Sequence, residues 1–161
     1  MKIIISESQH RRLFEEEQKV LHIPDIKLFG GWDGLQRFLK SKGNPPYSIS
    51  GNLRLRNTPI KSLGNLTYVG GNLFLEDTPI ESLGNLQSVG GGLDLYDSSI
   101  ESLGNLQSVG GGLDLYDSSI ESLGDLTFVG GDLYLNGTPI SKKYSKEEIR
   151  QMVNVGGDIY L

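Results

Sequence analysis

Carboxylates and aromatic rings recur together along this chain, and their spacing decides what chemistry they can do. Every twentieth position yields one column of Arg54, Phe74, Asp94, Asp114 and Tyr134, which Tyr160 joins near the end of the sequence. A second column holds Arg56, Glu76, Tyr96, Tyr116 and Asn136. If successive members sit on neighbouring strands, Asp94 and Asp114 stand about 4.8 Å apart. Two such carboxylates repel by about 1 kcal/mol in water, and a cation would relieve that repulsion. The rings offer a different use, because rigid aromatics bury large area at low entropy cost and make good contact residues. They can equally stack between adjacent strands and stabilise the sheet itself. The candidate partner-binding set is therefore Phe74, Glu76, Asp94, Tyr96, Asp114, Tyr116, Tyr134 and Tyr160.

Other chemistries find little support. The string Gly-Gly-Gly-Leu-Asp-Leu is similar to the calcium-binding pattern G-G-x-G-x-D, but Leu93 occupies the position next to Asp94 and the glycine spacing is wrong. Solvated carboxylates are the expectation here, and also for the columns Asp97 and Asp117 and Glu81, Glu101 and Glu121, with no metal and no cofactor. The two histidines, His10 and His22, have no ligand cluster or serine partner at a recognisable spacing. The glycines fall at a fixed period rather than in a phosphate-binding G-x-x-x-x-G-K loop. The expectation is a protein without catalytic activity.

The elements that must position these columns follow from the same period. Residues 81–100 and 101–120 are the same twenty amino acids, ESLGNLQSVGGGLDLYDSSI, written twice. Leucine recurs at Leu53, Leu73, Leu93, Leu113 and Leu133, and again at Leu55, Leu75, Leu95, Leu115 and Leu135. Further apolar columns run from Ile60 to Ile140, Leu63 to Leu123, Leu66 to Leu126, and Ile49 through Val69, Val89 and Val109 to Val129. A unit this short cannot bury its own apolar face and must stack on its neighbours, so the chain reads as one elongated solenoid. Alternation in Asn72-Leu73-Phe74-Leu75-Glu76 predicts one strand per 20-residue coil, stacked into a parallel sheet. The preceding Gly-Gly pair is expected to turn the chain through positive φ. Thr-Pro-Ile or Ser-Ser-Ile makes the second corner, and Ser-Leu-Gly-Asn-Leu an irregular or 3₁₀-like return.

Here the residues carry a resemblance. Leu73-Phe74-Leu75-Glu76-Asp77-Thr78-Pro79-Ile80 resembles the leucine-rich-repeat core L-x-L-x-x-N-x-L, with Thr78 or Ser98 where that family usually has asparagine. Val69 lies four residues before Leu73, where three is usual. The pattern is that of a short, divergent leucine-rich repeat of the kind found in bacteria and bacteriophages, and the opening Met-Lys-Ile-Ile-Ile-Ser-Glu-Ser-Gln is similar to the starts of some phage proteins. The resemblance implies a binding or scaffolding surface and no fixed chemistry.

Three regions result: a helical N-terminal cap over 1–48, the leucine-rich-repeat-like array over 49–140, and a C-terminal helix plus final strand over 141–161. In the first, Ser6 and Gln9 predict a helix over about 7–20, and Trp32, Leu35, Phe38 and Leu39 a second one that stops near Gly43. In the last, Ser145 and Glu148 repeat the capping-box spacing, and Val155 to Leu161 matches the column of Val129 to Leu135 with nothing capping it.

Charge narrows the partners. The chain carries a formal net charge of −5. Residues 51–140 hold Arg54, Arg56 and Lys61 against eleven acidic side chains, which leaves the flanks net basic. An acidic array repels phosphate backbones, so no nucleic acid is expected to bind the repeats. The absence of cysteine excludes disulfides and thiolate metal sites. The apolar run at the start is too short for a signal peptide or membrane helix, which predicts a cytoplasmic or virion-associated protein. The expected function is a scaffold that presents the acidic and aromatic sheet face to a protein or glycan partner. The alternative is a structural component that joins end to end through its C-terminal strand or decorates a larger particle.

Overall fold

A computed structural model describes residues 19–161. Its strands are short and all parallel. In chain order they are β1 (Leu21–Ile23), β2 (Tyr47–Ile49), β3 (Leu53–Arg54), β4 (Leu66–Val69), β5 (Leu73–Phe74), β6 (Ser88–Val89) and β7 (Leu93–Asp94). They continue with β8 (Ser108–Val109), β9 (Leu113–Asp114), β10 (Phe128–Val129), β11 (Leu133–Tyr134), β12 (Asn154–Val155) and β13 (Ile159–Tyr160). Helix α1 spans Trp32–Ser41 and α2 spans Lys146–Met152, each preceded by a 3₁₀ turn.

The leucine-alternating strands stack as expected, one per coil, in the order β3-β5-β7-β9-β11-β13. Alongside them runs a second parallel sheet, β1-β2-β4-β6-β8-β10-β12, whose strands from β4 onward lie just before each Gly-Gly corner. Beyond a shift at Tyr47 and Ser48, where β2 meets β4, the register is strict: Leu93 faces Leu73 and Leu113, and Val89 faces Val69 and Val109. Within one coil Leu83, Leu86, Val89, Leu93, Leu95 and Ile100 all point between the sheets and are buried. Each such side chain contributes about 1.5–3 kcal/mol of gross hydrophobic stabilisation, realised only when the next coil covers it.

The corners have different causes from one another. The Gly-Gly corner does not use positive φ, contrary to the expectation above: glycines with positive φ lie elsewhere. Stacking explains it instead, because a Cβ on Gly90 would collide with the carbonyl oxygen of Gly70, and one on Gly91 with the Asn72 side chain. Positive φ belongs to the return segment, at Gly64, Gly84, Gly104 and Gly124. There Ser62, Ser82, Ser102 and Ser122 each accept the N–H of the glycine two residues on, at 3.1, 3.0, 3.2 and 3.1 Å. The return is otherwise irregular, as predicted. After each leucine-alternating strand the left-handed position is held by Asn57, Asp77, Asp97, Asp117 or Gly137, the residue types that tolerate it best. Thr78, Ser98, Ser118 and Thr138 form a buried column, and Thr78, Ser118 and Thr138 donate to the carbonyls of Leu75, Leu115 and Leu135.

Both ends carry helices. Leu35 and Leu39 of α1 are buried against the first coil, with Trp32 and Phe38 partly covered beside them. The expected helix over about 7–20 lies outside the described residues for all but its last two positions, and Leu21, just beyond it, opens strand β1. Helix α2 opens on a reciprocal capping box, Ser145 with Glu148, and buries Ile149 while Met152 stays exposed. The final coil closes in the predicted register, Val155 on Val129 and Tyr160 on Tyr134.

Candidate functional site

The outward positions of the leucine-alternating sheet form one continuous strip. Its first row is Arg54, Phe74, Asp94, Asp114, Tyr134 and Tyr160, each paired in register with the next. A second row, one strand position further, holds Arg56, Glu76, Tyr96, Tyr116 and Asn136. The structure therefore brings all of the candidate residues onto one face, because the leucines between them point into the core.

Within the strip like side chains pair across coils. Tyr96 and Tyr116 stack with centroids 5.6 Å apart and planes at 15°. Tyr134 and Tyr160 stack at 4.7 Å and 6°. At the other end the guanidinium of Arg54 lies 4.8 Å from the Phe74 ring centroid, and Arg56 pairs with Glu76 at 3.3 Å. These contacts stabilise the sheet. They also leave ring surface in solvent: Tyr96, Tyr116 and Tyr160 are each about two-fifths exposed.

The two aspartates are not freely solvated. Asp94 and Asp114 are half-buried, and Oδ1 of each accepts the N–H of the tyrosine two residues on, at 3.1 and 2.9 Å. Burial raises the Asp94 carboxyl above its ordinary value; the Tyr96 N–H opposes this, while Glu76, Asp114 and Asp77 push it up further through like charge. The phenols of Tyr96 and Tyr134 are raised as well, first by lost solvation and then by Asp97 and Asp132 respectively.

Between Phe74 and Tyr134 the strip dips into a depression of about 270 Å³, lined by Asn72, Gly92, Leu93, Asp94, Gly112 and Asp114 as well as those two rings. Asn72, Gly92 and Gly112 were absent from the candidate set. Their signal is in the sequence, as a column reading Asn52, Asn72, Gly92, Gly112, Asp132 and Asp158, but its meaning depends on what each side chain touches one coil away. His22 lies on β1, exposed, with Nδ1 2.7 Å from Ser48 Oγ; His10 lies outside the described residues. Among the described residues no group of three or more histidine, aspartate or glutamate side chains could hold a metal ion, and no helix is long and apolar enough to cross a membrane. No protein-family model, curated protein or solved structure matches the chain.

Proposed function

We propose that this protein is a non-catalytic interaction scaffold whose leucine-alternating sheet presents its acidic and aromatic strip to a protein or glycan partner. The observation that carries this reading is the pair of tyrosine stacks, Tyr96 on Tyr116 and Tyr134 on Tyr160, held on a rigid sheet with ring surface left in water. Their ordering cost is already met in the free protein, which favours binding. Relationship to the leucine-rich repeats, and a bacterial or bacteriophage setting, belong to the same proposal and rest on the residue pattern alone.

The test compares two faces of one coil. Changing Tyr96, Tyr116 and Tyr134 together to Ser should abolish capture of a partner from lysate or of an immobilised glycan, with the circular dichroism spectrum unchanged. Changing Gln87, Gln107 and Thr127 to Ala alters exposed positions flanking the other sheet and should leave capture intact. The reverse pattern would move the binding surface to that side.

A second reading, end-to-end assembly, has one observation in its favour. Leu133 and Leu135 donate their N–H groups to the carbonyls of Asp158 and Tyr160 in the following coil, whereas the N–H groups of Ile159, on β13, and of Leu161 after it have no backbone acceptor among the described residues. Light scattering of the purified chain across a concentration series separates the two readings, since only assembly predicts a mass that grows with concentration.

A further inference from the structure

The depression on the strip exists because two coils lack a side chain that the others have. Asn52 Oδ1 accepts the N–H of Asn72, Asn72 Oδ1 accepts that of Gly92, and Asp132 Oδ1 accepts that of Asp158, at 2.7, 2.7 and 2.8 Å. This ladder of side chains reaches one coil forward at each step. In the identical coils the position is Gly92 and Gly112, so the N–H groups of Gly112 and Asp132 lose that acceptor, and no other protein group takes its place among the described residues. The space left is the notch, walled by Phe74 at one end and Tyr134 at the other, roughly 14 Å apart at three strand spacings. Neither glycine needs its conformation, since both have ordinary φ, and a Cβ would only approach a neighbouring carbonyl oxygen to 3.3 Å.

Charge in the notch is one-sided. Oδ1 of Asp94 and of Asp114 is held by a backbone N–H, and the second oxygen of each makes no hydrogen bond among the described residues. The neighbouring cations are spent: Arg54 lies on Phe74, and Arg56 is bonded to Glu76. Those two contacts show how this face engages a guanidinium, one through a ring and one through a carboxylate. The notch offers both at once, unoccupied by any side chain of its own coils.

We infer that the notch receives an arginine side chain from a basic peptide segment of a partner protein, with the guanidinium across Asp94 and Asp114, between the flanking rings. This rests on the reading that the strip is the binding face. A planar, weakly hydrated guanidinium matches paired carboxylates and aromatic faces better than an ammonium does. Burial, opposed by the Tyr96 N–H, is the main reason the Asp94 carboxyl is raised, and the like charges of Glu76, Asp114 and Asp77 add to it.

The experiment uses the full chain and a fluorescein-labelled peptide alternating arginine with glycine, read by anisotropy, beside the same peptide with citrulline for arginine. Gly92→Asn with Gly112→Asn fills the notch with the residue that Asn52 and Asn72 already provide, at unchanged net charge. We expect about tenfold weaker binding from the filled variant, with a melting temperature equal to or above that of the parent. Asp94→Asn with Asp114→Asn should weaken binding at least as much, and the citrulline peptide should bind neither protein. Glu101→Gln with Glu121→Gln removes equal charge outside the strip and should change affinity by less than about threefold.

The inference is overturned if the filled variant binds like the parent, if the parent fails to bind the arginine peptide, or if the Glu101 and Glu121 pair matters as much as the aspartates. In the first case, loss of the peptide by the tyrosine triple variant would keep the strip as a binding face and remove only the notch; indifference of both variants would remove the face too. Titration with chitohexaose and maltoheptaose supplies the remaining arm. Sugar binding that the filled variant loses, without arginine-peptide binding by the parent, would assign the notch to a glycan instead.

Discussion

Arg150 donates from Nη1 to the carbonyl oxygen of Val155 at 3.2 Å, reaching back from helix α2 to the edge of the sheet it precedes. Its Nη2 donates to the Gly157 carbonyl at 3.0 Å. One coil earlier the same two carbonyls, those of Val129 and Gly131, accept the N–H groups of Gly156 and Gly157. A guanidinium thus supplies at the last coil the donors that a further coil would supply. The β12 edge is therefore capped, where an uncapped end was expected, while β13 has no such partner among the described residues. Edge strands invite pairing unless they are blocked in some such way.

Replacing Arg150 with Ala should lower stability by about 1–2 kcal/mol, the range for two partly exposed charge-assisted bonds. It should also promote concentration-dependent association, because both edges of the final coil are then open. Urea unfolding and analytical ultracentrifugation check the two effects. A variant that stays monomeric at every concentration would show that the clamp serves stability alone.

Leu95 and Tyr96 are adjacent in sequence and opposite in environment. The leucine is fully buried and the tyrosine 39% exposed. Leu95→Asp places an unpaired carboxylate in a dry core at a cost of several kcal/mol, whereas Tyr96→Asp forfeits one ring stack, about 1 kcal/mol. Thermal unfolding should separate the two mutants by a wide margin. Equal destabilisation would mean that the strand faces are exchanged.

Much of this was legible because it repeats. The columns of Leu93 and Leu95 fix which face is buried, and the outward rows follow from alternation alone. The capping box at Ser145 and Glu148 is likewise a local pattern with a local cause. What escaped depends on contacts between coils. Gly90 and Gly91 are required by the carbonyl and side chain one coil below rather than by their own φ. The second sheet uses two-residue strands such as Ser88–Val89, too short to show alternation, and is held by bonds such as Gln87 N–H to the Thr67 carbonyl. For the same reason the change from Asn72 to Gly92 reads in sequence as one more glycine, and only in the stack as a missing rung.

Deleting residues 101–120 should leave a folded protein. The cut joins register-equivalent points, so Leu93 would meet Leu133 as it now meets Leu113, and Gly92 would meet Asp132 as Gly112 does. Stability should fall modestly, as in any array whose energy is a sum of nearest-neighbour terms. The same deletion takes away Asp114 and half of the notch, so arginine-peptide binding should weaken even though the fold persists. Loss of the circular dichroism signal at room temperature would contradict the modular account.

Tyr47 links the N-terminal cap to pH. Its ring is 2% exposed, Gln36 Nε2 donates to its hydroxyl at 3.3 Å, and that hydroxyl lies 3.5 Å from the Leu63 carbonyl oxygen. Burial pushes its phenol up from 10.0 to about 12, with the Gln36 bond opposing. The unfolded chain releases this proton near 10 and the folded chain holds it, so the native state binds more protons between those values. Stability is then complete below pH 10 and falls as pH rises toward 12, by roughly 2 kcal/mol at the upper end. Tyr96 and Tyr134 also ionise late, and they add the same slope to any variant that retains them. Tyr47→Phe should lose part of its stability at neutral pH, about 1 kcal/mol for the hydroxyl contacts, yet show a shallower alkaline decline than the parent. Urea midpoints at pH 8 and across the range from 10 to 12 measure the difference, and parallel curves for the two proteins would place the late-ionising phenol elsewhere.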